Sequence, residues 1–137
     1  MTDRELVAKK LALIETSVQE LRTLARPEEI RRDVREERFV EYTLQIAIQS
    51  ALDVAAHIAS HDSLGSPLTN RALFELLGRY GWIPADLTPS LCAMAGFRNI
   101  LVHGYGTVDL AIVEEILRDH LDDLLAFVKA VRVRLNA

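Results

Sequence analysis

The sequence predicts an all-α protein, and three observations carry that expectation. Half of its 137 residues are hydrophobic but only 6% are aromatic, and the apolar set is mostly Leu, Ala, Ile and Val, which suits helices better than a sheet sandwich. Between Glu28 and about His61 no Gly or Pro interrupts the chain. Apolar residues also recur at alternating spacings of three and four, the period of an amphipathic helix. Together these predict a bundle of about five helices with one long second helix. At this length a single domain over residues 1–137 is expected, burying about 68–70% of the surface that its unfolded chain exposes.

Thr2 with Glu5 three residues on fits a capping box, and Val7, Leu11, Ile14, Val18, Leu21 and Ala25 follow as one stripe. Pro27 breaks that helix and suits the first turn of the next, where Glu28 and Glu29 favour the positive end of the dipole. The simplest reading of Glu28 to about His61 is one helix of roughly 50 Å. Its first half is charge-rich. From Phe39 onward it is apolar over much of its circumference, with Leu44, Ile46, Ala47, Ile48, Ala51, Leu52, Val54, Ala55 and Ile58. So wide an apolar surface predicts burial within the subunit on one side and against a second subunit on another.

Asp62 to Pro67 reads as a loop, and Thr69 as the cap of a short helix holding Leu73, Phe74, Leu76, Leu77 and Tyr80, with Gly78 a weak point and Gly81 the stop. Phe74 and Trp82 are expected as core anchors. Thr88-Pro89 reads as a capping side chain followed by proline at the first helical position, opening a helix through Leu91, Met94, Ala95 and Phe97. Gly104 and Gly106 end it. Asp109 is placed to cap the last helix, where Val113, Leu117, Leu121, Leu124, Val128, Val131 and Leu135 form a continuous stripe.

A formal charge of −4 and a pI near 5.5 argue against non-specific coating of nucleic acid, which needs clustered Lys and Arg. The single cysteine, Cys92, excludes an intramolecular disulfide and a Cys-based zinc cluster, and its apolar neighbours predict an inert buried thiol. No signal-peptide core and no long uncharged apolar run are evident, so a soluble cytoplasmic protein is expected.

Polar chemistry concentrates in Arg98-Asn99-Ile100-Leu101-Val102-His103-Gly104-Tyr105. Arg carries a permanent charge in a planar fork suited to phosphate, and His is the side chain that titrates near neutrality, a pairing suited to phosphate-ester chemistry. On one helix, positions five apart differ by about 140° in direction and about 7.5 Å in height. Arg98 and His103 therefore do not naturally converge on one atom. Either the helix ends between them, with Gly104 and Gly106 letting the chain leave at positive φ, or two subunits share the site. Asn99 and His103 share a face, so the Asn99 amide can orient the imidazole.

Arg98, four residues, His103, one residue and Tyr105 resemble the RX4HXY signature of the HepT-like toxins of the HEPN superfamily, small all-α ribonucleases. Glu37 to Ile48, Leu52 to Ala55 and Phe97 to His103 are similar to that family in order and spacing, so the resemblance covers nearly the whole chain. It implies a HEPN-type bundle and a homodimeric, metal-independent endoribonuclease with a cleft between two copies of the motif helix and no cofactor. It further implies attack of a ribose 2′-OH on its own 3′-phosphate, with His103 moving protons, Arg98 stabilising phosphate charge and Asn99 supporting. Tyr105 matches the position that a minimal nucleotidyltransferase antitoxin AMPylates to block the RNA cleft. A non-catalytic HEPN protein that binds a nucleotide or serves a nucleotidyltransferase is the alternative, and a purely structural helical dimer is a third reading.

Two other clusters have plainer explanations. Arg31, Arg35 and Arg38 fall on one face of the expected long helix, with Arg22 and Arg26 nearby, but interleaved acids favour a solvated face of i,i+4 ion pairs over an RNA-steering surface. Asp53, His57 and His61 have the spacing to meet one metal, yet no further ligand cluster is evident, so a helix surface or a hydrogen-bonded pair near the dimer seam is the favoured reading.

Overall fold

The computed structural model describes residues 3–104 and 108–137, and every regular element among them is helical. The first helix, α1 (Arg4–Leu24), buries Val7, Leu11, Ile14, Val18 and Leu21, the stripe that the spacing predicts. Its cap is Asp3, whose carboxylate accepts from the Leu6 amide at 3.1 Å. This corrects the expected box by one residue; Thr2 lies outside the described residues. Asp3 is the acceptor that stands three residues before an N–H of the first turn, the reach that an N-cap side chain needs.

The long helix starts later than the sequence suggests. Pro27–Glu29 form a single 3-10 turn, Asp33 is extended, and α2 runs Val34–His61, 28 residues or about 42 Å. Three contacts explain the corner. Ile30, 1% exposed, turns into the core before α2 begins. The Asp33 carboxylate caps the new helix by accepting from the Arg35 amide at 2.9 Å. Glu36, three residues on, accepts from the Arg26 amide at 2.7 Å and ties the preceding segment to the helix start.

α2 is the central element, packed against α1 and against the later helices Asn70–Arg79, Thr88–His103 and Leu121–Leu135. Leu44, Ala47, Ile48, Ala51, Leu52, Val54, Ala55 and Ile58 are all buried within this one chain, and Ile46 is half-buried. Most of the wide apolar circumference is therefore taken up by neighbours in the same subunit. Breadth alone does not require a second copy, while half-buried Ile46 and exposed Tyr42 leave part of the helix surface uncovered.

Thr69 caps α3 (Asn70–Arg79) by accepting from the Ala72 amide at 3.1 Å. The helix ends as expected at Gly81, where φ is +78°, with the Trp82 amide donating back to the Leu77 carbonyl at 2.9 Å and the Gly81 amide to Gly78. This paired arrangement requires a left-handed residue, which Gly supplies without strain. Gly78 has a packing reason: a Cβ there would lie 2.6 Å from the Thr88 hydroxyl oxygen, so its absence lets α3 approach the start of α4.

The fourth helix, α4, spans Thr88–His103 with Pro89 in its first turn. Thr88 is not its cap. Its hydroxyl donates to the Pro84 carbonyl at 3.1 Å, inside the turn that leads into the helix. Asp109 does cap α5 (Leu110–Glu115), accepting from the Ala111 amide at 2.9 Å. A five-residue π turn, Ile116–His120, then joins α5 to α6 (Leu121–Leu135). The expected unbroken last helix is thus interrupted, and Ile116 rather than Leu117 reaches the core. His120 Nδ1 and Asp123 lie 2.9 Å apart across this turn.

One contiguous cluster joins all the helices. Phe74 and Phe127, both almost wholly buried, meet edge to face at 5.8 Å. Trp82 is 5% exposed beneath the Arg134 guanidinium, 4.8 Å from the ring centre, so both expected anchors are in place. Cys92 is buried, and burial raises its thiol pKa, consistent with an inert thiol. Among the described residues, no helix is long and apolar enough to cross a membrane.

Candidate functional site

α4 delivers Arg98 and His103 on one uninterrupted helix, with His103 its last residue and Gly104 closing it by donating to the Ile100 carbonyl at 2.8 Å. The helix does not end between them. Gly104 has a φ of −99°, so the chain does not leave through the positive φ that its glycines allow; Gly106 lies outside the described residues. The angular separation that helical geometry sets between Arg98 and His103 therefore stands within one copy of α4.

Each side chain has a distinct setting. Arg98 is half-buried against α2, where its Nε donates to the Gln49 side-chain oxygen at 2.7 Å, and its Nη1 donates to the Asn99 side-chain oxygen at 3.1 Å. Both acceptors are neutral amides. No carboxylate pairs with this guanidinium among the described residues. His103 is exposed at the helix end. Asn99 shares its face, but the Asn99 side-chain oxygen is occupied by Arg98 and by Asn70, which donates through Nδ2 at 3.2 Å. The expected Asn99 to His103 hydrogen bond is not among those formed by the described residues. Tyr105 lies outside the described residues, so the geometry of α4 speaks for Arg98, Asn99 and His103 alone.

A chain of polar contacts runs from Arg98 into the bundle. Gln49 Nε2 donates to one Asp53 oxygen at 2.8 Å, and Lys10 Nζ donates to the other at 2.9 Å. Lys10 comes from α1, Gln49 and Asp53 from α2, Asn70 from α3 and Asn99 from α4, so one polar cluster links four helices. Gln49, Asn70 and Lys10 are functional candidates that the sequence alone does not mark. They lie 49, 29 and 88 residues from their place in the cluster at Arg98 or Asn99, with no local spacing to betray them.

The candidate metal group dissolves into separate partnerships. Asp53 is engaged by Lys10 and Gln49, His57 Nε2 accepts from the Asp3 amide at 3.0 Å, and His61 stacks obliquely on His57 at 5.9 Å. Among the described residues no group of three His, Cys, Asp or Glu side chains is placed to share an ion. The basic face is also divided. Arg31 precedes α2 and pairs with Glu114 at 2.6 Å, and Arg22 pairs with Asp122, so these ion pairs are tertiary clamps to the last helices rather than i,i+4 pairs. The hydrogen bond with Arg31 holds the Glu114 carboxyl below its ordinary range. Arg35 and Arg38 remain exposed on α2.

A family described as ribonuclease HepT-like matches residues 14–131. The chain is 28% identical over 129 residues to an mRNA nuclease HepT of Shewanella oneidensis, covering 93% of this chain and 97% of that protein. It is 36% identical over 69 residues to a tRNA nuclease HepT of Aphanizomenon flos-aquae, which is 50% of this chain and 47% of that one. Among solved structures, a tri-AMPylated Shewanella oneidensis HEPN toxin in complex with an MNT antitoxin superimposes with a TM-score of 0.86 at 28% identity, over 97% of this chain and 99% of the toxin.

Proposed function

The chain belongs to the ribonuclease HepT-like family and is an endoribonuclease toxin of a HEPN toxin–antitoxin pair, and we propose that it cuts RNA as a homodimer, at a cleft where two copies of α4 meet. In this reading a ribose 2′-OH attacks its own 3′-phosphate. A new P–O2′ bond forms as the P–O5′ bond breaks, leaving a cyclic phosphate and a 5′-OH. His103 moves the protons, accepting one from the 2′-OH or giving one to the departing O5′, and Arg98 stabilises the charge that gathers on the phosphate oxygens. Asn99 supports Arg98. The reaction asks for no cofactor and no metal ion.

The observation that carries this reading is the setting of Arg98: held at Nε and Nη1 by neutral oxygens and paired with no carboxylate among the described residues. A guanidinium with no carboxylate partner among the described residues favours an anion as its partner. The separation of Arg98 and His103 on α4 favours a site shared by two copies. A stripe on α2, with exposed Tyr42 and half-buried Ile46 preceding Gln49 and Asp53, continues from the site together with Ile100 of α4, 41% exposed, and offers apolar surface for such a contact.

The direct test is RNA cleavage in EDTA by the parent, Arg98→Ala and His103→Ala. Losses of about 10²-fold or more in each variant are expected; cleavage by both at the parent's rate overturns the reading. Regulation is assigned to Tyr105, with a minimal nucleotidyltransferase antitoxin adding AMP. Co-expression with such a partner is expected to raise the intact mass by AMP increments located by peptide mapping at Tyr105, and increments found only elsewhere would remove that assignment.

A further inference from the structure

Gln49 occupies the most informative place in the polar chain because its amide has two different ends. A carboxylate accepts hydrogen bonds and cannot donate them, so the Asp53 oxygen 2.8 Å away must face the Gln49 NH₂ group. The Gln49 oxygen is then turned toward Arg98 Nε, 2.7 Å away. Asp53 would itself attract the guanidinium, but Lys10 sits 2.9 Å from its other oxygen and offsets that charge. The same logic repeats on the opposite side of Arg98, where the Asn70 NH₂ fixes the Asn99 oxygen toward Nη1. Among the described residues, Nη2 is not engaged.

We infer that Gln49 is a positioning residue for Arg98: oriented by the Lys10–Asp53 pair, its neutral oxygen fixes the guanidinium plane through Nε while leaving the positive charge for an RNA phosphate. This inference rests on the ribonuclease reading and deepens it. A neutral acceptor is the essential feature. A carboxylate at the same position would neutralise Arg98 and compete with the phosphate for the same fork, and it would lose the bond that Gln49 donates to Asp53.

The test compares the parent with Gln49→Glu, Gln49→Leu and Arg98→Ala, each checked by thermal unfolding, for cleavage of a single-stranded RNA and for binding of an uncleavable 2′-deoxy analogue across a salt series. Gln49→Glu is expected to raise KM and to lower kcat/KM by about tenfold or more. The slope of log Kd against log salt should fall by about 0.7 for each phosphate that the protein no longer neutralises. Gln49→Leu, which removes the hold but adds no charge, should keep the parent's salt slope and reduce kcat about threefold. A structural role alone would move the unfolding temperature and leave the salt slopes equal. If Gln49→Glu cuts and binds as the parent does while Arg98→Ala is inactive, the assignment to Gln49 is wrong and the ribonuclease reading stands. A parent that neither cuts nor binds RNA overturns both.

Discussion

Arg98 and Arg132 each reach across a pair of helices, and their partners differ in one respect. Arg132 on α6 grips the Glu15 carboxylate on α1 with two parallel hydrogen bonds of 2.7 Å, whereas Arg98 on α4 is held by the amide oxygens of Gln49 and Asn99. The first arrangement is complete: charge meets charge, the carboxyl of Glu15 is held below its ordinary range by the Arg132 hydrogen bond, and nothing further is needed. The second is fixed in space but, among the described residues, has no carboxylate on its guanidinium. A helical bundle can use arginine as a clamp or as a poised cation, and the acceptor chosen for the fork decides which.

Breaking the comparison at Arg98 has the largest expected effect. Arg98→Ala should lower RNA cleavage by about 10²-fold or more with little change in unfolding temperature, since the residue is half-buried and its partners are neutral groups within reach of water. Arg98→Lys keeps the charge but cannot engage Gln49 and Asn99 with one planar fork, so an intermediate loss of about tenfold is expected in the same assay. Arg132→Ala reverses the pattern, with cleavage unchanged and stability lower by about 1 kcal/mol or less in denaturant unfolding, because both partners are 43% exposed and solvent screens the pair.

The smallest effect is in acid. Glu15 has its folded-state pKa lowered, so the stability it contributes is present above the ordinary glutamate range and is lost as the pH falls through the lower folded-state value. Glu15→Gln should therefore flatten the dependence of stability on pH below about 4.3. Equal acid slopes in parent and variant would show that the clamp contributes nothing measurable.

What the sequence makes legible follows from the range of the interaction involved. Thr69, Asp109 and Gly81 act within four residues of themselves, and their roles as caps and stop can be read directly. Asp33 carries the same kind of signal, with Glu36 three residues later, but the lack of any Gly or Pro from Glu28 onward masks it; the break comes from burying Ile30, which is a tertiary demand. The breadth of the apolar surface on α2 is legible, while its occupants are not, because a central helix of one bundle and a helix at a subunit seam share the same pattern. Arg98 and His103 stand out by type and spacing. Gln49, Asn70 and Lys10 do not, since an ordinary polar residue becomes part of a site only when packing brings it to its partner.

The central claim is that Arg98 and His103 cooperate across two copies of the chain. Arg98→Ala and His103→Ala chains carrying different tags, co-expressed and purified through both tags, isolate dimers in which one cleft can pair an intact Arg98 from one copy with an intact His103 from the other. The expected result is RNA cleavage by the mixed dimer at up to about half the parent's rate, with each variant homodimer at least about 10²-fold slower. A mixed dimer as inactive as either homodimer, or no dimer at all at working concentration, would contradict the account.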